Sequence, residues 1–169
     1  MIVRGRAWKF GDDVDTDVMA PWSSIALPWE ERRGAVLGIR PEFVERVRPG
    51  DLIVAGRNWG CGSSREQAAE NLKQLGVAGV IAESFGRIYF RNCVAIGFPN
   101  LACPGVSDLC AEGDDLEFDL RSGRVRNLAR DGELRTLAYT EDMLAILEHG
   151  GLLAMLGRRT AAPREDTAS

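Results

Sequence analysis

Leu52-Ile53-Val54-Ala55-Gly56, followed by Asn58-Trp59-Gly60-Cys61-Gly62-Ser63-Ser64-Arg65-Glu66, is the stretch whose reading sets the architecture. Its first part is a short apolar run with β-branched residues, bounded by Pro49-Gly50 and Gly56, and it reads as a buried strand. Gly60 and Gly62 then permit backbone angles closed to residues with a Cβ, and they let another molecule come close to the main chain. From Glu66 to Gln74 the residues are strong helix formers, and Ala69, Leu72 and Leu75 recur at helical spacing. A helix is therefore expected to start near Ser63.

The turn has two readings. Unpaired N–H groups at the start of a helix, with the positive end of its dipole, favour a bound anion, and Arg65 adds a permanent, bidentate partner for a carboxylate or phosphate. Ser63-Ser64-Arg65-Glu66 also fits a capping box, in which Ser63 satisfies helix N–H groups and Glu66 reaches back. Capping requires neither Arg65 nor the paired glycines, and on the local residues alone both readings stand.

Outward from this stretch the chain alternates strand and helix. Val77 to Ala82 reads as a second buried strand, and Glu83-Ser84-Phe85-Gly86 as the turn into a helix from Arg87 to about Ile96, ended by Gly97 and Pro99. Strand–helix–strand–helix from Leu52 to Gly97 implies crossover units and a parallel sheet, which makes the fold class α/β. Upstream, Ile2 to Phe10 is expected to be a strand leading to the acidic turn Gly11-Asp12-Asp13-Val14-Asp15-Thr16-Asp17, and Pro41 to Val47 a short helix. Residues 23–38 form a long connection without clear periodicity, a kind of segment that is usually functional or mobile. Downstream, Asp115 to Leu120 and Val125 to Leu128 flank Ser122-Gly123, and Leu134 to Tyr139 follows Asp131-Gly132, so hairpins are expected. A helix from Thr140 to Glu148, capped by Thr140 and followed by Gly150, closes a single domain over 1–157, and 158–169 reads as a frayed tail.

With 169 residues, 45% of them hydrophobic, the chain can bury a substantial core, since domains of ~150 residues hide ~68–70% of their unfolded surface. A net charge of -4 and a pI near 5.1, with arginines interspersed among acids, argue against nucleic-acid binding. No apolar run approaches membrane-spanning length, and the N-terminus lacks the apolar core of a secretory signal, so a cytoplasmic location is expected.

Cys61, Cys93, Cys103 and Cys110 have irregular spacings with no C-x-x-C pair and no nearby histidine, a poor ligand set for zinc or an iron–sulfur cluster. Cys61, in the glycine turn, is either a thiol of lowered pKa or a small residue filling a tight loop; the second is favoured because a nucleophile needs a base beside it. His149, the single histidine, reads as a residue closing a helix C-terminus. The aspartates of the acidic turn lack the glycine and distal glutamate of a calcium loop and suit local backbone hydrogen bonds.

Three segments carry a family resemblance. Trp8-Lys9-Phe10-Gly11-Asp12-Asp13-Val14-Asp15-Thr16-Asp17-Val18, the run from Pro49 to Gly56 leading into Gly60 to Glu66, and Ile81-Ala82-Glu83-Ser84-Phe85-Gly86-Arg87-Ile88 with Arg91-Asn92 closely resemble the small subunit of 3-isopropylmalate dehydratase, the detached counterpart of the swivelling domain of aconitase. The match runs in the same order from about Val3 to Leu156. The resemblance implies an aconitase-type swivelling β/β/α domain, with a mostly parallel core sheet and C-terminal hairpins. It implies a heteromeric hydro-lyase, active only with a large subunit that carries a [4Fe–4S] cluster, while this chain binds no metal or cofactor. It also implies that Ser63 is the catalytic base and that Arg65 binds a substrate carboxylate, with Ser64 and Gly62 in the same loop.

Two departures bear on substrate. Many relatives carry a Tyr-Leu-Arg type segment after the Asp-Thr-Asp turn, where this chain reads Met19-Ala20-Pro21-Trp22-Ser23-Ser24-Ile25-Ala26-Leu27. Arg32 and Arg33 are the candidates to replace the missing arginine, against a reading in which they pair with Glu30 and Glu31 on a solvated surface. Gln67 stands where relatives usually have histidine. The small hydroxy acid expected first is 3-isopropylmalate, with homoaconitate, citrate-like acids and methylated malates or maleates open. A carboxylate-binding module without catalysis is the competing class.

Overall fold

The computed structural model describes residues 1–161. The strands are β1 (Ile2–Lys9), β2 (Leu52–Ala55), β3 (Gly79–Ala82), β4 (Asn100–Ala102), β5 (Asp115–Asp119), β6 (Arg124–Asn127) and β7 (Glu133–Arg135). The helices are α1 (Thr16–Met19), α2 (Trp29–Arg32), α3 (Pro41–Arg46), α4 (Glu66–Gln74), α5 (Arg87–Ala95), α6 (Val106–Leu109), α7 (Glu141–Glu148) and α8 (Leu152–Ala161).

β2 and β3 are buried at every position, as strands covered on both faces must be. Alternate residues feed two cores: Ile53, Ala55, Val80 and Ala82 pack with Trp8, Phe10, Phe43, Trp59 and Leu72, and Leu52, Val54 and Ile81 pack with Leu101, Leu116, Phe118 and Val125. The period of two along an extended chain produces this division. All seven strands form one sheet in the order β4-β3-β2-β1-β5-β6-β7. β1 joins its halves: Ala7 to Lys9 pair in parallel with β2, while Ile2 to Arg6 pair antiparallel with β5. The expected parallel core is thus β1 to β4, and the expected hairpins continue the sheet as β5, β6 and β7.

The junction is pinned from below by Asp51, only 6% exposed. Its Oδ2 accepts from Trp8 Nε1 at 2.8 Å, Arg6 Nη2 at 2.9 Å and the Arg48 N–H at 3.0 Å. Burial opposes the charge, but Arg6 and the N–H donors outweigh it and hold the carboxyl below its ordinary range.

Several elements differ from expectation. α4 starts at Glu66 rather than Ser63, and no side chain caps it. β4 and α6 had no clear signal, because β4 is three residues long and begins at a buried asparagine. The connection 23–38 is not loose: it contains α2 and a 3-10 turn over Arg33–Ala35, and it ends on Val36 and Leu37, both fully packed. α8 carries helix into the expected tail as far as Ala161, and 162–169 lie outside the described residues. Thr140 caps α7 by accepting from the Met143 N–H, and His149 closes that helix with Nδ1 2.7 Å from the Ala145 carbonyl. Among the described residues no helix is long and apolar enough to cross a membrane.

Candidate active site

The loops that leave the carboxyl ends of β1, β2 and β3 lie against one another, at the edge where open α/β sheets bind ligands. Gly60 N–H donates to the Val14 carbonyl at 2.8 Å, Thr16 N–H to Cys61 O at 2.9 Å, and Trp59 N–H to Ser84 O at 3.0 Å. Asp15 bridges to Cys61, and Trp59 to Phe85, in parallel fashion. Three segments distant in sequence become one surface, with the turn from Gly60 to Arg65 at its centre.

The glycines of the turn are there because nothing else fits. At Gly60, φ is +73° and a Cβ would lie 2.2 Å from Tyr89 Cγ; at Gly62, φ is +96° and a Cβ would meet the Asp15 carboxylate at 2.5 Å. Gly62, Ser63 and Ser64 are exposed. The Ser64 hydroxyl and the N–H groups of Ser64 and Arg65 have no partner among the described residues, and these are the donors an anion on the turn would meet.

Ser63 is not a helix cap. Its N–H donates to Thr16 Oγ1 at 3.1 Å, and Thr16 Oγ1 lies 3.2 Å from the Ser63 carbonyl oxygen and 3.4 Å from Ser63 Oγ. This tie to α1 takes the N–H and draws Ser63 away from α4. The capping-box reading is thereby corrected, and with it the placing of Ser63 at the head of the helix dipole, since α4 begins three residues later.

Arg65 is the N-cap residue of α4 in position only. Its guanidinium turns toward α1, where it pairs with the Asp17 carboxylate, donates to the Ala20 carbonyl at 3.0 Å and lies 5.7 Å from the Trp22 ring centroid. A carboxylate therefore already occupies this cation, from a side chain that is itself largely exposed. Asn71, buried in α4, donates to the Met19 carbonyl at 3.0 Å and holds α1 in place.

Of the other aspartates of the acidic turn only Asp15 makes the expected local backbone hydrogen bond among the described residues, while Asp12 and Asp13 tie the turn to the loop after β2, 45 positions away. Asp12 accepts from the Arg57 N–H and pairs with its guanidinium; Asp13 accepts from Asn58 Nδ2 at 2.9 Å; Asp15 caps α1. Burial, then Asp15 and Asp13, push the Cys61 thiol up, which removes the reading of Cys61 as an activated nucleophile. Cys93, Cys103 and Cys110 are buried in the cores, and no group of three or more His, Cys, Asp or Glu that could hold a metal occurs among the described residues.

Arg32 is not brought to the turn. Arg32 reaches toward the Leu27 carbonyl and Gln74 Oε1 at 3.4 and 3.5 Å and lies over Trp29. Gln74 ends α4, and with ~1.5 Å rise per residue that end lies about 12 Å from Glu66. Arg33 is exposed, and neither arginine pairs with Glu30 or Glu31 among the described residues. A cavity of about 530 Å³ beside the turn is lined by Gly60, Cys61, Gly62, Phe85, Arg87 and Arg91, among others. Arg87 and Arg91, one helical turn apart on α5, are exposed and have no ion-pair partner among the described residues. The sequence held a signal for them, two cations at i and i+4 opening a helix. It held none for Thr16, which reaches Ser63 across 47 positions.

Fold and site together define an α/β domain that presents a hydroxyl, an arginine and N–H groups without a partner among the described residues on an exposed glycine turn. Residues 40–104 match the aconitase C-terminal domain family. The chain is 46% identical over 159 residues to 3-isopropylmalate dehydratase small subunit 1 of Methanopyrus kandleri, covering 93% of this chain and 94% of that one. It is 49% identical to the methanogen homoaconitase small subunit of Methanothermobacter thermautotrophicus, covering 90% and 89%. With the isopropylmalate/citramalate isomerase small subunit of Methanocaldococcus jannaschii it shares 44% identity, covering 95% and 96%. A crystal structure of 3-isopropylmalate dehydratase from Methanocaldococcus jannaschii superposes with a TM-score of 0.86 at 38% identity, covering 95% of this chain and 96% of that one. The chain belongs to the small-subunit family of 3-isopropylmalate dehydratase, within the aconitase-type hydro-lyases.

Proposed function

We infer that this chain is the small subunit of a heteromeric hydro-lyase that dehydrates and rehydrates a hydroxy di- or tricarboxylic acid, with the interconversion of 3- and 2-isopropylmalate as the leading reaction. The observation that carries this reading is the exposed turn in which Ser63, Ser64 and Arg65 stand together, with the Ser64 hydroxyl and the N–H groups of Ser64 and Arg65 directed to no group among the described residues. Relatives with three different specificities share 44–49% identity with it, so overall similarity supports the reaction class and does not choose the acid.

Elimination removes a weakly acidic proton beside a carboxylate while hydroxide leaves, so negative charge must be stabilised as it develops. Arg65 exchanges its Asp17 partner for a substrate carboxylate, gaining a bidentate, charge-assisted contact. The free N–H groups of Ser64 and Arg65 take part of the same charge. Ser63 Oγ, as the alkoxide, receives the proton from the substrate carbon. Arg87 and Arg91, in the cavity that shares Cys61 and Gly62 with the turn, take the second carboxylate in place of Arg32 and Arg33. Trp22, 76% exposed beside Arg65, offers an apolar wall to a substituent such as isopropyl.

A [4Fe–4S] cluster on the partner large subunit is the group the family implies, and when bound there it supplies Lewis acidity toward the departing hydroxyl. In this reading the residues of this chain complement such a group by bringing the Ser63 hydroxyl and the Arg65, Arg87 and Arg91 cations to the substrate. An unassisted serine is a very weak base, so closure of the partner over the turn, excluding water, is part of the proposal. The test is anaerobic co-purification with the cognate large subunit, followed by a spectral assay for unsaturated product over 3-isopropylmalate, homocitrate, citramalate and citrate. Turnover by the complex and none by this chain alone is expected; a carboxylate-binding module would assemble or bind without turnover of any acid.

A further inference from the structure

Thr16 is 1% exposed, and its hydroxyl has three neighbours, all on Ser63. Thr16 Oγ1 accepts the Ser63 N–H at 3.1 Å, and its own single proton faces the Ser63 carbonyl oxygen at 3.2 Å and Ser63 Oγ at 3.4 Å. The backbone around it leaves little freedom. Thr16 N–H is held by Cys61 O at 2.9 Å, the preceding Asp15 caps α1, and the Asn71 amide fastens the far end of α1 through Met19. A buried hydroxyl fixed in this way spends one lone pair on the Ser63 amide and retains one proton to give.

We propose that Thr16 is the positioning residue of the Ser63 base: its O–H moves from the Ser63 carbonyl to Ser63 Oγ as that oxygen becomes anionic. This rests on the reading of Ser63 as base. In the resting geometry the carbonyl is the nearer acceptor by 0.2 Å, from the 3.2 and 3.4 Å separations. Rotation about a single C–O bond redirects the proton without any movement of the backbone. When Ser63 Oγ carries negative charge it becomes the stronger acceptor, and a donor already held in place acts without reorganisation. Thr16 keeps its proton throughout. Ser63 enters the step as the alkoxide, its own hydroxyl proton having passed to water before closure; the substrate C–H proton then ends on Ser63 Oγ and its bonding pair forms the new double bond as hydroxide departs. Passage of that proton to the departed hydroxide, which leaves as water, restores the alkoxide. The chain contains one histidine, and it closes α7, so this hydroxyl is the side-chain donor that the fold places on Ser63.

The test uses the enzyme assembled with its large subunit under anaerobic conditions, on the acid turned over fastest, with three variants. Thr16→Val replaces the hydroxyl by a methyl of similar shape, Thr16→Ser keeps the hydroxyl, and Ser63→Ala removes the base. A hydrogen bond to an anionic oxygen corresponds to about 10- to 100-fold in rate, so Thr16→Val is expected to lower kcat by that factor with KM within about twofold. Thr16→Ser is expected to restore kcat to within about threefold of wild type. Wild-type kcat in Thr16→Val, with Ser63→Ala inactive, overturns the role of Thr16 and leaves the base in place. Equal losses in Thr16→Ser and Thr16→Val also overturn it, because packing of the methyl would then be the cause. Normal turnover in Ser63→Ala overturns the base and the positioning role together. Should Thr16→Val fail to assemble, Thr16→Ala against Thr16→Ser carries the same comparison.

Discussion

Gly60→Ala tests whether the turn is shaped by what lies beneath it. The added Cβ would sit 2.2 Å from Tyr89 Cγ and 2.6 Å from Tyr89 Cβ, with the backbone at φ +73°. Tyr89 cannot easily yield, being 2% exposed and stacked on Phe85 with ring centroids 6.2 Å apart. Two costs add. The left-handed backbone costs a residue with a Cβ ~1–2 kcal/mol, and overpacking a rigid core costs ~1–3 kcal/mol, about 2–5 kcal/mol together. For a chain of this size each kcal/mol lowers Tm by about 2–4 °C, so a fall of about 4–20 °C is expected. Gly113→Ala separates the terms, because Gly113 has φ +85° but nothing within 4 Å of where its Cβ would stand; it should lose only the backbone part, about 2–8 °C. Calorimetry or circular dichroism on both variants at one pH measures the difference. If Gly60→Ala is no less stable than Gly113→Ala, the Tyr89 contact does not govern the turn and the reasoning fails.

Asp51→Asn should destabilise the junction of β1 and β2 by about 1.5–3 kcal/mol, the worth of a hydrogen bond to a charged group, seen as a Tm lower by about 3–12 °C near neutral pH. Because the folded carboxyl lies below its ordinary range, its contribution is present above the unfolded pKa of ~3.9 and is lost as pH falls through the folded value. The gap between wild type and variant should therefore narrow on acidification from about pH 6 to 3, and a gap that stays constant would contradict the charged role. Thiol titration with an aromatic disulfide should label Cys61 alone in the native chain and more slowly than a free cysteine at pH 8. Cys93, Cys103 and Cys110 are buried, and burial pushes the Cys103 and Cys110 thiols up to about 11. Rapid labelling of more than one thiol would count against the packing described.

Strands and turn were legible because their signals are local. Leu52 to Ala55 and Val80 to Ala82 lack polar residues, and only a strand buried on both faces suits them at that length. Thr140 and Gly150 bracket α7 for equally local reasons. The start of α4 was misread because the residues around Ser63 satisfy a cap on paper, while the acceptor that claims the Ser63 N–H lies on α1, 47 positions away. Sequence marks Asp17, like its neighbours, as a local turn residue, and spacing carries no sign of its partner Arg65. β4 escaped notice because it has three residues and Asn100, its first, is buried against Tyr139. Arg32 is eligible through charge alone, and its contact with Gln74 at the far end of α4 places it elsewhere.

The account is tested most directly by the turnover of the assembled enzyme carrying Ser63→Ala. Loss of a positioned base costs about 10²–10⁴-fold, so kcat should fall by that factor while KM changes by only a few-fold and the complex with the large subunit still forms. Wild-type kcat from that variant, in an intact complex, would contradict the claim that this chain supplies the proton acceptor of the reaction.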